Sequence, residues 1–141
     1  MDHLTAIVRE SARFRAALVD ADPGAPVPTC PGWSADDLLH HLAEVQDFWA
    51  YVLREAVTDE PDRDPPPRPG TRADLLALFD TAHAALVDQL GRLDPTETRW
   101  SWAEEQTVGF TLRRQAHEAL VHRVDAELTV GAARAPIQGI A

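Results

Sequence analysis

Residues 111–130 decide the fold: they have the sequence TLRRQAHEALVHRVDAELTV and are followed by Gly131. Apolar residues recur along this stretch at the spacing of an amphipathic helix, which the glycine ends. The predicted core-facing stripe consists of Leu120, Val121, Val124 and Leu128. A helix buries such a stripe against other elements, so the rest of the chain should supply the elements against which this helix packs.

A polar stripe runs beside the apolar one. Glu118 and His122 are four residues apart, so their side chains lie one above the other, and Asp125 continues the line at the next turn. A carboxylate and an imidazole at this spacing suit a divalent metal such as zinc. Exposed acid–histidine ladders are also common on the surfaces of helices. The stripe by itself therefore leaves both interpretations open.

A second contribution to the same site comes from an earlier helix, predicted over about residues 34–57. His41 lies on the core side of that helix, whereas His40 lies on its solvated side. An inward histidine is either a core imidazole that bonds a backbone carbonyl or a ligand. With Glu118 and His122 it would complete a three-ligand site that leaves one metal position open. The residues alone support a metal site and a structural role about equally.

Three other histidines compete for a place in the site. His83 flanks the core face of a predicted third helix and could replace one of the ligands. His117 points roughly to the core side of the last helix, in a different direction from His122, and His3 lies near the N-terminus. Any metal would serve function, because a chain of 141 residues buries enough core to fold without one.

Helical periodicity predicts two further helices, over about residues 3–20 and 71–90. Between the helices lie two stretches that contain several prolines. The first, 21–33, is predicted to be a loop, and the second, 58–70, a stiff and extended surface linker.

Alternating side chains between Trp100 and Phe110 predict a short β-hairpin just before the last helix. The fold class is therefore all-α: a four-helix bundle with a long crossover loop. The length predicts that residues 1–141 form a single domain.

Composition excludes several classes of function. The formal net charge of −10 argues against nucleic acid and against an anionic membrane surface as partners. The only cysteine, Cys30, rules out an intramolecular disulfide, as expected of a cytoplasmic protein, and we expect it to be a half-buried packing residue. No apolar stretch approaches the roughly 18 residues of a membrane span, and the N-terminus shows no secretion signal.

Two parts of the chain carry a recognisable pattern. The first is VPTCPGWS at 27–34 followed by DLLHHLA at 37–43. The second is TVGF at 107–110, leading through two arginines into HEALVHRVD at 117–125. Together they resemble the N-terminal metal-binding domain of the mycothiol-dependent maleylpyruvate isomerase family, within the DinB-like group of four-helix metalloproteins. The pattern covers nearly the whole chain.

The resemblance implies a site and a chemistry. It places the metal ligands on His41, Glu118 and His122, with Zn²⁺ or another divalent metal as cofactor. It implies mycothiol as thiol cosubstrate and a small electrophile such as maleylpyruvate as substrate, because a cation holds a thiol in its nucleophilic thiolate form. The thiolate would add to an activated double bond and be eliminated after rotation, or it would displace a leaving group.

Two further residues are candidates for catalysis. Arg114 lies one turn before Glu118 on nearly the same face and could bind a substrate carboxylate, although it could equally be a solvated surface arginine. Asp125 could orient His122, because metal-bound imidazoles usually donate their second N–H to an acceptor. It could also be a surface acid.

Family members often carry a second, sterol-carrier-like domain that helps to bind substrate. This sequence stops at residues 136–141, where a linker would begin, so it is either a lone bundle without that domain or a fragment of a longer protein. Two classes of function follow. An enzyme, a metal- and thiol-dependent isomerase or S-transferase, is favoured over a non-catalytic DinB-like domain that binds a metal or another ligand. The oligomeric state is not predicted.

Overall fold

A computed structural model describes residues 2–131, which form four helices. In chain order these are α1 (His3–Leu18), α2 (Ala35–Arg54), α3 (Arg72–Arg92) and α4 (Val108–Thr129). The prediction of an all-α four-helix bundle is confirmed, and the predicted ends lie within three residues of the observed ones. The expected linker at 136–141 lies outside the described residues. No helix among those described is long and apolar enough to cross a membrane.

Each helix begins at a side chain that accepts a hydrogen bond from the backbone of the first turn. The four N-caps are Asp2, Ser34, Thr71 and Thr107. Ser34 forms a full capping box, because the Asp37 carboxylate accepts a hydrogen bond from the Ser34 N–H in return. These caps fix the residues at which α2 and α4 start. They therefore help to fix the positions of His41 and His122 along the axes of the two helices.

The core consists of two apolar clusters, one at each end of the bundle. Leu38 near the start of α2 shares the first cluster with Ala126 near the end of α4. Trp49, later in α2, shares the second cluster with Val108 and Ala116 at the start of α4. The two helices therefore run antiparallel. α1 packs mainly on α4, and α3 packs mainly on α2.

The predicted core stripe of α4 is wrong in two of its four positions. Val121 and Leu128 are 39% and 38% exposed. The face turned inward instead carries a guanidinium, because Arg123 is fully buried and donates hydrogen bonds to Glu10 at 2.6 Å and Glu127 at 3.0 Å. A pattern of apolar residues does not reveal a core face whose charges are paired.

The predicted β-hairpin is also absent from the described residues. Thr98 and Thr107 form one isolated antiparallel bridge, and no strand follows. Phe110 already belongs to α4, since the Thr107 hydroxyl accepts a hydrogen bond from its N–H. A strong N-cap begins the helix three residues earlier than the alternating pattern suggested.

The linker at 58–70 has no regular secondary structure and runs along the outside of α2. Two ion pairs tie it there: Arg63 to Asp47 at 2.9 Å, and Arg68 to Asp37 at 2.6 Å. The linker is therefore extended, as predicted, but it lies against a helix and forms one wall of the groove beside it.

Candidate metal centre

His41, Glu118 and His122 converge between α2 and α4. One ligand atom from each side chain can be chosen so that all three lie within 4.8 Å of one another. Two atoms that are each about 2 Å from one cation are at most about 4 Å apart, so a bound metal would draw these side chains slightly closer together. The antiparallel course of the two helices brings together residues that are almost eighty positions apart in the sequence.

His41 lies between two rings. Its imidazole is 5.0 Å from the Trp33 ring and 4.8 Å from the His122 ring, measured between centroids. Burial lowers the pKa of His41, and the neighbouring His122 lowers it further. A neutral imidazole is the form that binds a metal, so His41 is held in the state that a ligand needs.

Glu118 and His122 form a hydrogen-bonded pair with Asp125 behind them. His122 Nε2 is 3.2 Å from Glu118 Oε2, and His122 Nδ1 is 3.0 Å from Asp125 Oδ2. Burial opposes the charged imidazole, but the hydrogen bond and charge of Glu118, together with Asp125, raise the pKa of His122. The hydrogen bond to His122 in turn lowers the pKa of Glu118.

These contacts fit a cation. Glu118 and Asp125 stabilise a positive charge on the His122 ring. A divalent ion between His122 Nε2 and the Glu118 carboxylate would be stabilised by the same negative charges. Asp125 accepts the hydrogen bond of Nδ1–H, which leaves Nε2 facing Glu118 and His41. This is the carboxylate–histidine arrangement that orients imidazole ligands in metal sites. The donor set of two imidazoles and a carboxylate matches that of zinc sites with an open position.

The loop at 21–33 supports the site from outside. The Thr29 hydroxyl donates a hydrogen bond to Asp125 Oδ1 at 2.6 Å, so both oxygens of that carboxylate are engaged. Gly32 has a φ of +85°, a conformation that side chains disfavour. The turn at Gly32 brings Trp33 back against His41. One short loop therefore holds both the ring beside His41 and the acid behind His122.

Arg114 lies at the rim of the site. Its Nη2 is 2.6 Å from Glu118 Oε1, and its guanidinium lies over the Trp102 ring at 5.6 Å from the centroid. Arg114 is therefore close to Glu118, and its role in binding a substrate carboxylate stays a prediction. One of the five N–H donors of an arginine is used here, so others can face a substrate.

Comparison with known proteins agrees with this geometry. The family model for the mycothiol maleylpyruvate isomerase N-terminal domain matches residues 4–127. The chain belongs to this family. No curated protein and no solved structure matches the chain. The match spans all of α2 and α3 and nearly all of α1 and α4, including the three converging residues of this isomerase-family domain.

The competing histidines of this domain lie outside the site. His83 Nδ1 is 3.0 Å from Gln46 Oε1, and its ring stacks on Phe79, so it belongs to the core between α2 and α3. His117 is exposed, which corrects its predicted core orientation. His40 points towards Glu44, at 3.9 Å, rather than into the triad.

Cys30 is a half-buried thiol that packs on the first apolar cluster, as predicted. Burial raises its pKa, and the nearby Asp125 raises it further. A thiol of this kind is a poor nucleophile.

Sequence reasoning missed the supporting roles of two residues. Thr29 and Trp33 belong to the VPTCPGWS segment that carried the family resemblance, but the sequence of that segment does not predict which residues they contact. Thr29 meets Asp125 from 96 positions away in the sequence. Only the packing of the loop against α4 reveals that contact.

Proposed function

We propose that this domain binds a divalent metal, zinc, through His41, Glu118 and His122 and uses it with mycothiol to act on a small electrophile. The observation that carries the proposal is the convergence of two imidazoles and one carboxylate in a chain of the mycothiol maleylpyruvate isomerase family. When bound, the metal would supply a positive charge that keeps the sulfur of the thiol deprotonated near neutral pH.

Asp125 would act by positioning rather than as a base. Its Oδ2 accepts the hydrogen bond of His122, and its Oδ1 accepts that of Thr29. Both oxygens of Asp125 are therefore already used to hold His122 and Thr29 in place. With Asp125 engaged in this way, thiol chemistry is favoured over hydrolysis, in which a free carboxylate next to the metal activates water.

Arg114 is the candidate cation for a carboxylate of the substrate. One N–H bonds Glu118, and the side chain is 36% exposed, so the remaining donors can reach a ligand at the proposed metal site. A guanidinium binds carboxylates with two parallel hydrogen bonds, which would fix the orientation of a substrate such as maleylpyruvate.

The reaction class follows from the thiol. In an isomerisation the sulfur forms a bond to one carbon of a conjugated double bond, which becomes a single bond and rotates. The same carbon–sulfur bond then breaks, so the thiol is regenerated and no atom is gained or lost. In an S-transfer the carbon–sulfur bond remains, and the leaving group departs with its electron pair.

The test is turnover by metal-loaded protein with maleylpyruvate or monochlorobimane, with and without mycothiol. We expect turnover that needs both the metal and the thiol. His41→Ala should lose it and His40→Ala should keep it, because only His41 belongs to the triad. Turnover without thiol, or equal activity in the two variants, would contradict the proposal.

A second candidate is a non-catalytic domain that binds a metal or another ligand. Stoichiometric metal binding without turnover by any thiol would favour it. We further propose that residues 1–141 act as one domain, that the protein works in the reducing cytoplasm, where a thiol cosubstrate stays reduced, and that no nucleic acid or membrane takes part.

A further inference from the structure

A cavity of about 310 Å³ lies beside the proposed metal site, between α2 and the linker at 58–70. Its helix wall carries the carboxylates of Glu44 and Asp47 and the rings of Phe48 and Trp49. Arg63 and two prolines of the linker close the other side. The volume is at the lower end of the range of small-molecule pockets, about 300–1,000 Å³, and leaves room for one ring-sized group.

The cavity continues the line of the metal site along α2. Glu44 and Phe48 follow His41 by three and seven residues, so all three side chains share one face of the helix. At 1.5 Å of rise per residue, Glu44 is about 5 Å and Phe48 about 10 Å along the axis from His41. A molecule whose sulfur reached the triad could therefore extend along this face of α2 into the cavity.

The charges of the cavity select against anions. It contains two carboxylates and one guanidinium, and that guanidinium is already engaged: Arg63 Nη2 is 2.9 Å from Asp47 Oδ2, and the group lies 4.5 Å from the Tyr51 ring centroid. An incoming carboxylate would meet a net negative charge. A group that donates hydrogen bonds would not be repelled.

Two acceptors in the cavity have room for a donor. The Glu44 side chain is 42% exposed, and its nearest charged partner among residues 2–131 is His40, at 3.9 Å. Asp47 Oδ2 is buried against Arg63, but the Asp47 side chain is 25% exposed, so its other oxygen can accept from a ligand. Carboxylates accept hydrogen bonds from hydroxyl groups, while ring faces pack against C–H surfaces. This combination suits a neutral group rich in hydroxyls.

We propose that this cavity binds the uncharged, hydroxyl-rich sugar part of the thiol cosubstrate. Glu44 and Asp47 accept hydrogen bonds from its hydroxyls, and Phe48 and Trp49 pack against its C–H face. The cavity thereby selects neutral sugar-bearing thiols over anionic thiols such as glutathione. The inference rests on the proposed function for the identity of the thiol, but the binding itself needs no metal.

The experiment uses metal-free protein and S-methyl mycothiol, whose blocked sulfur cannot become a thiolate. Binding is measured by calorimetry, and S-methyl glutathione is the anionic comparison. We expect the first compound to bind and the second not to bind. Glu44→Ala and Asp47→Asn should each weaken binding roughly tenfold or more, since each removes a charged acceptor. Asp88→Asn, an exposed acid on α3, is the matched control and should leave binding unchanged.

The outcomes separate this inference from the proposed function. If the wild type does not bind S-methyl mycothiol, or binds both compounds alike, the inference is overturned even when mycothiol-dependent turnover is observed. Binding that both acid variants leave intact overturns it as well. Binding that needs Glu44 and Asp47, in a protein without turnover, supports the cavity and contradicts the enzymatic proposal. Zinc affinity should be the same in Glu44→Ala and wild type, because Glu44 is not a ligand.

Discussion

Replacing His122 by alanine should abolish stoichiometric zinc binding and leave the fold intact. His122 is one of the three proposed ligands, so its loss should weaken zinc binding more than the loss of an outer partner such as Asp125 does. Loss of an outer partner costs about 10–100-fold, and we therefore expect a decrease of more than about a hundredfold, or roughly 2.7 kcal/mol.

The cost to the fold can be worked out from the contacts of His122. Its side chain is 12% exposed and makes two hydrogen bonds, one to Glu118 and one to Asp125. After truncation Glu118 still pairs with Arg114 at 2.6 Å, and Asp125 still accepts from Thr29 at 2.6 Å. Neither acid is left buried without a partner, so the cost should be about 1–3 kcal/mol. A domain with a stability of about 5–15 kcal/mol tolerates that loss.

Zinc affinity is measured by competition with a chromophoric chelator at pH 7.5, and helicity by circular dichroism. His117→Ala is the matched control: it removes an exposed histidine from the same helix and should change neither quantity. Unchanged zinc affinity in His122→Ala would refute the assignment of the triad. Loss of helicity in that variant would refute the argument that the site and the core are separable.

Two further predictions concern the surroundings of the site and the core. Asp125→Asn should lower zinc affinity by about 10–100-fold, because Asp125 orients His122, while Asp88→Asn should not lower it; equal affinities in chelator competition would contradict that role. Burial lowers the pKa of His83 below 6.5, so the stability that its neutral ring contributes is complete above pH 6.5 and is lost as the pH falls through the lowered pKa. Urea unfolding should therefore show a larger loss of free energy of unfolding between pH 7 and pH 5 in wild type than in His83→Asn, and equal losses would count against it.

The helices were predictable because local signals and the global fold agree. Ser34 is followed by acids in the first turn of α2, and helical periodicity marks α3, in which Leu75, Phe79, Ala82 and Leu86 are buried. Both signals act within a few residues and need no knowledge of the partner helix. The side of α2 on which His41 lies was predictable from the same kind of local periodicity.

The inner face of α4 could not be predicted in this way. The outward positions Val121 and Leu128 are apolar, and the inward Arg123 is charged, so hydropathy assigns the wrong face. Burial of Arg123 depends on Glu10, which is 113 positions away in the sequence. Two other contacts could not be predicted for the same reason: that of Thr29 with Asp125, and that of Arg63 with the cavity. Each joins segments that are distant in the sequence, and the pattern within one segment does not show which other segment it packs against.

The buried charges also determine how precisely α4 presents its part of the site. His122 and Arg123 are consecutive, so their side chains point about 100° apart around the helix. The rotation of α4 that buries Arg123 against Glu10 on α1 is the same rotation that turns His122 towards His41 on α2. Turning the helix away would break the buried pair of Glu10 and Arg123, while the pair of Arg123 with Glu127 on the same helix remained, at a cost below the roughly 3–5 kcal/mol of leaving a buried charge without any partner. An apolar core face would tolerate such a turn at lower cost. The buried ion pair therefore fixes the rotation of α4 about its axis, and with it the positions of Glu118 and His122 relative to His41.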